Sequence, residues 1–160
     1  SVRRVLAAEA PARERPLVLS HNDVNPTNLV YDGENLLFLD WETAGPNDPF
    51  YDLAALSVFL RMDEGTCQQL LAAYDNKPVA PLPAGFAYSR RLVAVICGVM
   101  FLHLAHQSGH VGATEGQDTI DSIPALGEIY PRIRSGSLSL ASGDGQWCFC
   151  LALLKASLSL

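Results

Sequence analysis

A mostly helical α+β chain carrying one small β-hairpin is predicted by three features of the sequence. Residues 28–39, NLVYDGENLLFL, hold two short apolar runs around Asp32-Gly33, a dipeptide that favours tight hairpin turns. From Tyr51 onward apolar residues recur at helical spacing, first through Leu53, Leu56, Phe59 and Leu60, then through Cys67, Leu70 and Leu71. At 160 residues, 49% of them apolar, the chain has material for a real core, and its length predicts one domain.

Taken in order, residues 1–15 are charged and alanine-rich and read as the end of a helix, limited by Pro11 and Pro16. Residues 17–19 are a short buried strand or an extended lead-in, and residues 28–31 and 36–39 are the two strands of the hairpin. The hairpin brings Asn28 and Asp40 to the same end. A helix over 51–62 follows, with Asp52 near the positive end of its dipole, and 63–74 resumes the pattern. The proline-rich 77–85 is a connection. Residues 86–107 form the longest apolar stretch, read as a central helix with Gly98 as a close-packing position and not as a membrane span. Residues 108–116 are a glycine-rich loop, and 119–133 a helix interrupted around Pro124 and Pro131. From Ser135 a small-residue linker leads to an apolar segment, 147–154, read as a final amphipathic helix, although Leu138 and Leu140 also permit a strand.

Composition excludes several classes. A net charge of −6 argues against a nucleic-acid-binding face, which needs clustered Lys and Arg, and suits a cationic substrate or a divalent metal. Cys67, Cys97, Cys148 and Cys150 have neither disulfide nor zinc spacing, so reduced thiols are expected. No basic-then-apolar leader is visible and the apolar runs are read as too short to cross a bilayer, so a cytoplasmic location without membrane contact is expected. His103, His106 and His110 could share a helix face, but Gly109 ends the helix before His110 and no carboxylate partner stands nearby in sequence. They are read as ordinary structural histidines.

Chemistry-bearing residues concentrate in 20–53. His21, Asp23 and Asn28 are spaced H-x-D-x4-N, and Asp40 ends the apolar run 36–39. That is the spacing of a phosphoryl-transfer loop followed by a metal-binding aspartate. Such a reaction needs a carboxylate to orient and deprotonate the attacking hydroxyl, here Asp23, and oxygen ligands for Mg2+, here Asn28 and Asp40. His21 is expected to hold the loop by hydrogen bonds. Trp41 either stacks on a substrate or, following an apolar strand, belongs to the core. Taken singly, each Asp is as well explained as a helix or turn cap; the joint spacing is what favours catalysis.

These residues resemble the aminoglycoside phosphotransferase and choline kinase family, small-molecule relatives of the protein kinases. His21-Asn22-Asp23 is similar to the family's H-[GN]-D, Asp40-Trp41-Glu42 to its D-[FW]-E, and Asp48-Pro49 with Tyr51-Asp52-Leu53-Ala54 to its D-P-x-x-D-L-A. The resemblance implies an ATP-dependent transfer to the hydroxyl of a small molecule, with Mg2+, on the carboxyl-terminal lobe of a protein-kinase-like fold. It implies a structural, loop-bracing role for Asp52. Residues 17–53 would form the catalytic hairpin region, 51–134 a helical subdomain and 135–160 a final segment, all within one lobe spanning 1–160.

Asn22 and Asp40-Trp41-Glu42 place the resemblance nearer the choline and ethanolamine side, whose substrates are cationic amino alcohols. Glu42, Asp48 and Trp41 would then supply charge and a π-face for an ammonium group. An aminoglycoside or another small molecule is the alternative substrate, and GTP the alternative donor. The resemblance also implies an amino-terminal lobe with a phosphate-binding lysine, for which the residues before His21 offer no counterpart. The chain alone is therefore expected to transfer phosphate slowly or not at all, and a non-catalytic interaction module or inactive fragment is the rival reading.

Overall fold

The computed structural model describes residues 10, 15–112 and 122–160, which fall into two compact units, one up to Val93 and one from Ala94 to Leu160. The helix expected at 1–15 lies largely outside the described residues. The division falls inside the longest helix.

In the first unit the order is β1 (Val18–Ser20), a 3-10 turn (Pro26–Asn28), β2 (Leu29–Tyr31), β3 (Leu36–Phe38), a second 3-10 turn (Trp41–Thr43), β4 (Gly45–Asn47), α1 (Pro49–Phe59) and α2 (Glu64–Asp75). The hairpin pairs Leu29 with Phe38 and Tyr31 with Leu36, antiparallel. Its connection, 32–35, is closed by Asp32, whose Oδ1 accepts the N–H groups of Glu34 and Asn35 at 2.9 and 2.7 Å. Those two bonds hold the Asp32 carboxyl below its ordinary range. Gly33 takes φ +107, open to a residue without a Cβ.

The second strand is not buried as expected. Leu36, Leu37, Phe38 and Leu39 are all exposed, as are Val30 and Tyr31 across from them. Strand residues alternate between faces, so four consecutive apolar residues that keep much of their surface in solvent mean that both faces of the hairpin are partly open. β1 departs from expectation in the same way, with Leu19 76% exposed. Its partner is β4, which pairs antiparallel from Val18 opposite Asn47 to Ser20 opposite Gly45. Gly-Pro-Asn is poor strand sequence, and pairing with β1 overrides it.

Asp48 caps α1, accepting the Phe50 N–H at 2.8 Å, with Pro49 at the first helical position. The helix stops at Phe59, three residues short of the expected end, where Arg61 turns to φ 54 and Met62 bonds back to the Ser57 carbonyl. Asp63 caps α2 through the Thr66 N–H at 2.8 Å, which lowers its own pKa. The core gathers Phe50, Ala54, Ala55 and Val58 from α1, Cys67 and Leu71 from α2, and Phe86. Phe50 and Phe86 meet edge to face at 5.5 Å, and the Arg15 guanidinium lies 3.7 Å from the Phe50 ring centre.

Helix α3 (Ala84–Gln107) runs through the division between units. At 24 residues it is long and apolar enough to cross a bilayer by length and composition, contrary to the expectation that no run is. Nor is it a fully buried central helix: 28% of its apolar window is buried, and Ile96, Val99 and Met100 are exposed.

The second unit adds α4 (Leu126–Arg134) and α5 (Gly143–Ala156). Gly98 is a close-packing position, since a Cβ there would come within 3.0 Å of the Leu154 side chain. Phe101 and Phe149 meet edge to face at 4.7 Å, and Lys155 Nζ donates to the Ile123 carbonyl at 2.8 Å. The helix expected over 119–133 begins only at Leu126, beyond Pro124, and continues through Pro131; its first residues, 119–121, lie outside the described set. Residues 135–142 are turns and not the alternative strand, and α5 starts inside the small-residue linker because Ser142 caps it. All four cysteines are free thiols. Burial raises Cys67 and pushes Cys150 up to about 11.

Candidate active site

The site residues come together in the first unit, around the loop that β1 delivers. His21 is buried at the end of β1, and its backbone N–H donates to Asp52 Oδ2 at 2.6 Å, while the Asn22 N–H donates to Asp52 Oδ1 at 2.9 Å. Both carboxylate oxygens of the first turn of α1 thus hold consecutive amides of the loop. The His21 ring joins the loop to the hairpin: Nε2 lies 2.7 Å from the Leu39 carbonyl, and Nδ1 accepts the Asp23 N–H at 3.3 Å. One neutral tautomer, with the proton on Nε2, satisfies both bonds and leaves no ring nitrogen for proton transfer.

Asp23 is exposed, and each of its carboxylate oxygens accepts an amide: Oδ1 from Asn25 at 3.0 Å and Oδ2 from Asn28 at 2.8 Å. The carboxylate is therefore oriented but solvent-facing. Asn28 is buried and gives its NH2 group to Asp23 Oδ2 and to the Asp23 carbonyl, so its Oδ1 faces no donor among the described residues. The Leu39 N–H donates to the Asn28 carbonyl at 2.8 Å, extending the hairpin ladder by one bond and setting Asp40 at the same end as Asn28. Asp40 is left-handed, φ 62 and ψ 67, and its side chain makes no cap bond to the turn that follows. An amide oxygen and a carboxylate, both oxygen donors, are a set that suits a hard cation which keeps several waters.

Trp41 is neither core nor detached. It is 52% exposed, its Nε1 donates to the Phe38 carbonyl at 2.8 Å, and its ring lies 4.7 Å from that of His21. Glu42 is exposed beside it. The Asp48 carboxylate is engaged as the cap of α1, which competes with a substrate contact.

Three further residues escaped the sequence reading. Asn25 accepts the Thr27 N–H and orients Asp23; the Asn-Pro pair at 25–26 is a turn signal from which this was readable. Asn47 Nδ2 donates to Asn22 Oδ1 at 2.8 Å, and Thr43 Oγ1 donates to the His21 carbonyl at 2.9 Å. Neither partnership leaves a trace in local sequence, because the bonded residues stand more than twenty positions apart.

His103, His106 and His110 lie in the second unit. Gly109, at φ 84, ends α3, and His110 packs its ring 4.7 Å from Trp147 with Nδ1 2.9 Å from Asp144 Oδ1. The carboxylate partner missing from the neighbouring sequence comes from α5. His106 and His110 help line a pocket of about 220 Å³, with Leu102, Val111, Gly112 and Trp147. Among the described residues no group of three or more His, Cys, Asp or Glu could hold a metal ion.

Comparison with known proteins bears on the first unit. Protein LicA of Haemophilus influenzae strain Rd is 35% identical over 57 residues, 36% of this chain and 21% of that protein. A second Protein LicA from Haemophilus influenzae is 35% identical over 57 residues, 36% of this chain and 17% of its own length. The chain thus matches about a fifth of the curated relatives' length. No solved structure matches it at a significant level. The Phosphotransferase enzyme family matches residues 1–86, just over half of the chain and a span that takes in the loop, the hairpin end and the brace from α1. Matched by that model over more than half of its length, the chain belongs to the phosphotransferase enzyme family.

Proposed function

We propose that this chain is the catalytic lobe of an ATP-dependent kinase that phosphorylates the hydroxyl of a small cationic amino alcohol of the choline and ethanolamine type. The observation that carries the reading is the convergence of Asp23, Asn28 and Asp40 at one end of the hairpin. Asp23, held from both sides by amides of Asn25 and Asn28, orients the acceptor hydroxyl and takes its proton. Asn28 Oδ1 and the Asp40 carboxylate would hold Mg2+, which would supply positive charge against the nucleotide phosphates. His21 and Asp52 keep the loop in register with the hairpin. Glu42 and the half-exposed face of Trp41 supply negative charge and a π-face for an ammonium group; Asp48 is left to its capping bond.

The partly open hairpin supports the partner this reading requires. A two-stranded hairpin with both faces in water is marginal at best, and Tyr31, Leu36, Leu37, Phe38 and Leu39 are all exposed. An amino-terminal kinase lobe, which would bring the nucleotide with it, is the occupant we assign.

The test is phosphate transfer from radiolabelled ATP by the longest polypeptide carrying this chain, against choline, ethanolamine, thiamine, homoserine and kanamycin. Choline or ethanolamine should be labelled. Asp23→Asn should lower kcat by about 10²–10⁴-fold with little change in the Mg2+ requirement, whereas Asp40→Asn should raise that requirement. Labelling of kanamycin with both amino alcohols inert would overturn the substrate assignment, and full activity in Asp23→Asn would overturn the base.

A further inference from the structure

Asn22 takes a left-handed backbone, φ 66, a conformation favoured by Gly and tolerated by Asn and Asp ahead of other side chains. Its side chain reaches the segment that carries Asp40. Nδ2 donates to the Thr43 carbonyl at 3.0 Å and to the Gly45 carbonyl at 3.4 Å, and Oδ1 accepts from Asn47. Thr43 bonds back, its Oγ1 donating to the His21 carbonyl. His21 Nε2 meets the Leu39 carbonyl. Leu39, next to Asp40, is therefore tied to His21, and Thr43, three residues beyond Asp40, is tied to both His21 and Asn22. The Asp40 carboxylate makes no cap bond that would hold its left-handed conformation.

We infer that Asn22 and Thr43 are positioning residues: their reciprocal bonds set the separation of the Asp23 loop and the Asp40 turn and hold Asp40 left-handed, with its carboxylate free. The consequence for metal binding rests on the proposed phosphotransfer function; the clamp itself is geometry of this chain. Neither residue touches the reacting groups, so each acts through Asp40. Glycine at 22 would meet the backbone demand without the bonds, which makes Asn22→Gly the variant that isolates the clamp. Thr43→Val removes the hydroxyl without disturbing position 22, and Thr43→Ser keeps it.

The experiment follows isotope-labelled chain by NMR, reading the sign of φ at Asp40 from its HN–Hα coupling and carbon shifts, and titrates Mn2+ by electron paramagnetic resonance. Asn22→Gly and Thr43→Val should move the Asp40 signals toward conformational averaging and weaken Mn2+ binding by about 10-fold, the range seen when outer-shell partners of metal ligands are removed. Thr43→Ser should retain both, and the α2 spectrum should not change. Left-handed signals at Asp40 in both variants overturn the inference whatever the metal does. Loss of the whole first-unit spectrum in Thr43→Val also overturns it, since the bonds would then support the unit and not Asp40. If the parent binds no Mn2+ while the Asp40 signals shift as expected, the clamp stands and the Mg2+ assignment of the proposed function falls.

Discussion

Replacing Asp52 by Ala tests how the loop is held. The carboxylate accepts two adjacent backbone N–H groups, at 2.6 and 2.9 Å, from residues of which one, His21, is 3% exposed. A hydrogen bond to a charged group contributes about 1.5–3 kcal/mol, and Asp52 is only partly buried, so the lower end applies to each, about 3 kcal/mol together. Loss of a favourable charge in the first turn of α1 adds about 0.5 kcal/mol, and the better helix propensity of Ala offsets a similar amount. A net cost of about 3 kcal/mol is a large share of the stability of a domain this size and should lower the melting temperature by roughly 6–12 °C. Asp52→Asn, which keeps one acceptor oxygen but turns an NH2 toward the other amide, should fall between Ala and the parent. Urea unfolding followed by circular dichroism measures the cost, and amide hydrogen exchange at His21 and Asn22 locates it. An Ala variant within about 0.5 kcal/mol of the parent, a change no larger than an ordinary surface substitution gives, with both amides still protected, would refute the reasoning.

Two further outcomes follow from the second unit. Gly145→Ala would place a methyl group on the Ser139 backbone carbonyl, which no side-chain rotation can relieve; it should cost about 2–3 kcal/mol in urea unfolding, opposite in sign to the roughly 1 kcal/mol that Gly→Ala gains in an open helix. Burial lifts the Cys150 thiol from an ordinary 9.0 to about 11, so the native state keeps a proton that the unfolded chain gives up. The stability this represents, about 3 kcal/mol, is fully present below pH 9 and is lost as pH rises toward 11; Cys150→Ala should flatten that alkaline slope in unfolding free energies measured from pH 8 to 11.

What the sequence revealed and what it hid divide along the range of the interactions. The hairpin and the close packing at Gly98 express local rules: a turn dipeptide and a small residue in an apolar stripe. β4 was illegible because Gly-Pro-Asn is turn sequence, and only β1, 27 residues away in register at its midpoint, Leu19 opposite Pro46, makes it a strand. The exposure of residues 36–39 was illegible for the opposite reason. Four apolar residues in a row predict burial by themselves, and which surface they bury depends on what lies against them. The same holds for α3, whose composition fits a core helix, a membrane helix or a helix with one unpartnered face; the exposure of Ile96, Val99 and Met100 argues against the first alone.

Position 22 shows how a site residue that is legible in sequence can be legible for the wrong reason. The resemblance of 21–23 to H-[GN]-D invites a reading of Asn22 in terms of substrate. The left-handed backbone, φ 66, gives a simpler account: Gly and Asn are the residues that take this conformation at least cost. What separates them is the set of bonds to Thr43, Gly45 and Asn47, in the segment that follows Asp40. On that account Asn22 serves the geometry of the Asp40 turn and carries no argument about the substrate. Glu42 and Trp41 are the side chains left for substrate contact, exposed and adjacent on the turn that follows Asp40. If the amino-alcohol assignment is right, Glu42→Gln should raise KM for a cationic acceptor while leaving an uncharged one unaffected, whereas Asn22→Gly should change kcat and spare that discrimination.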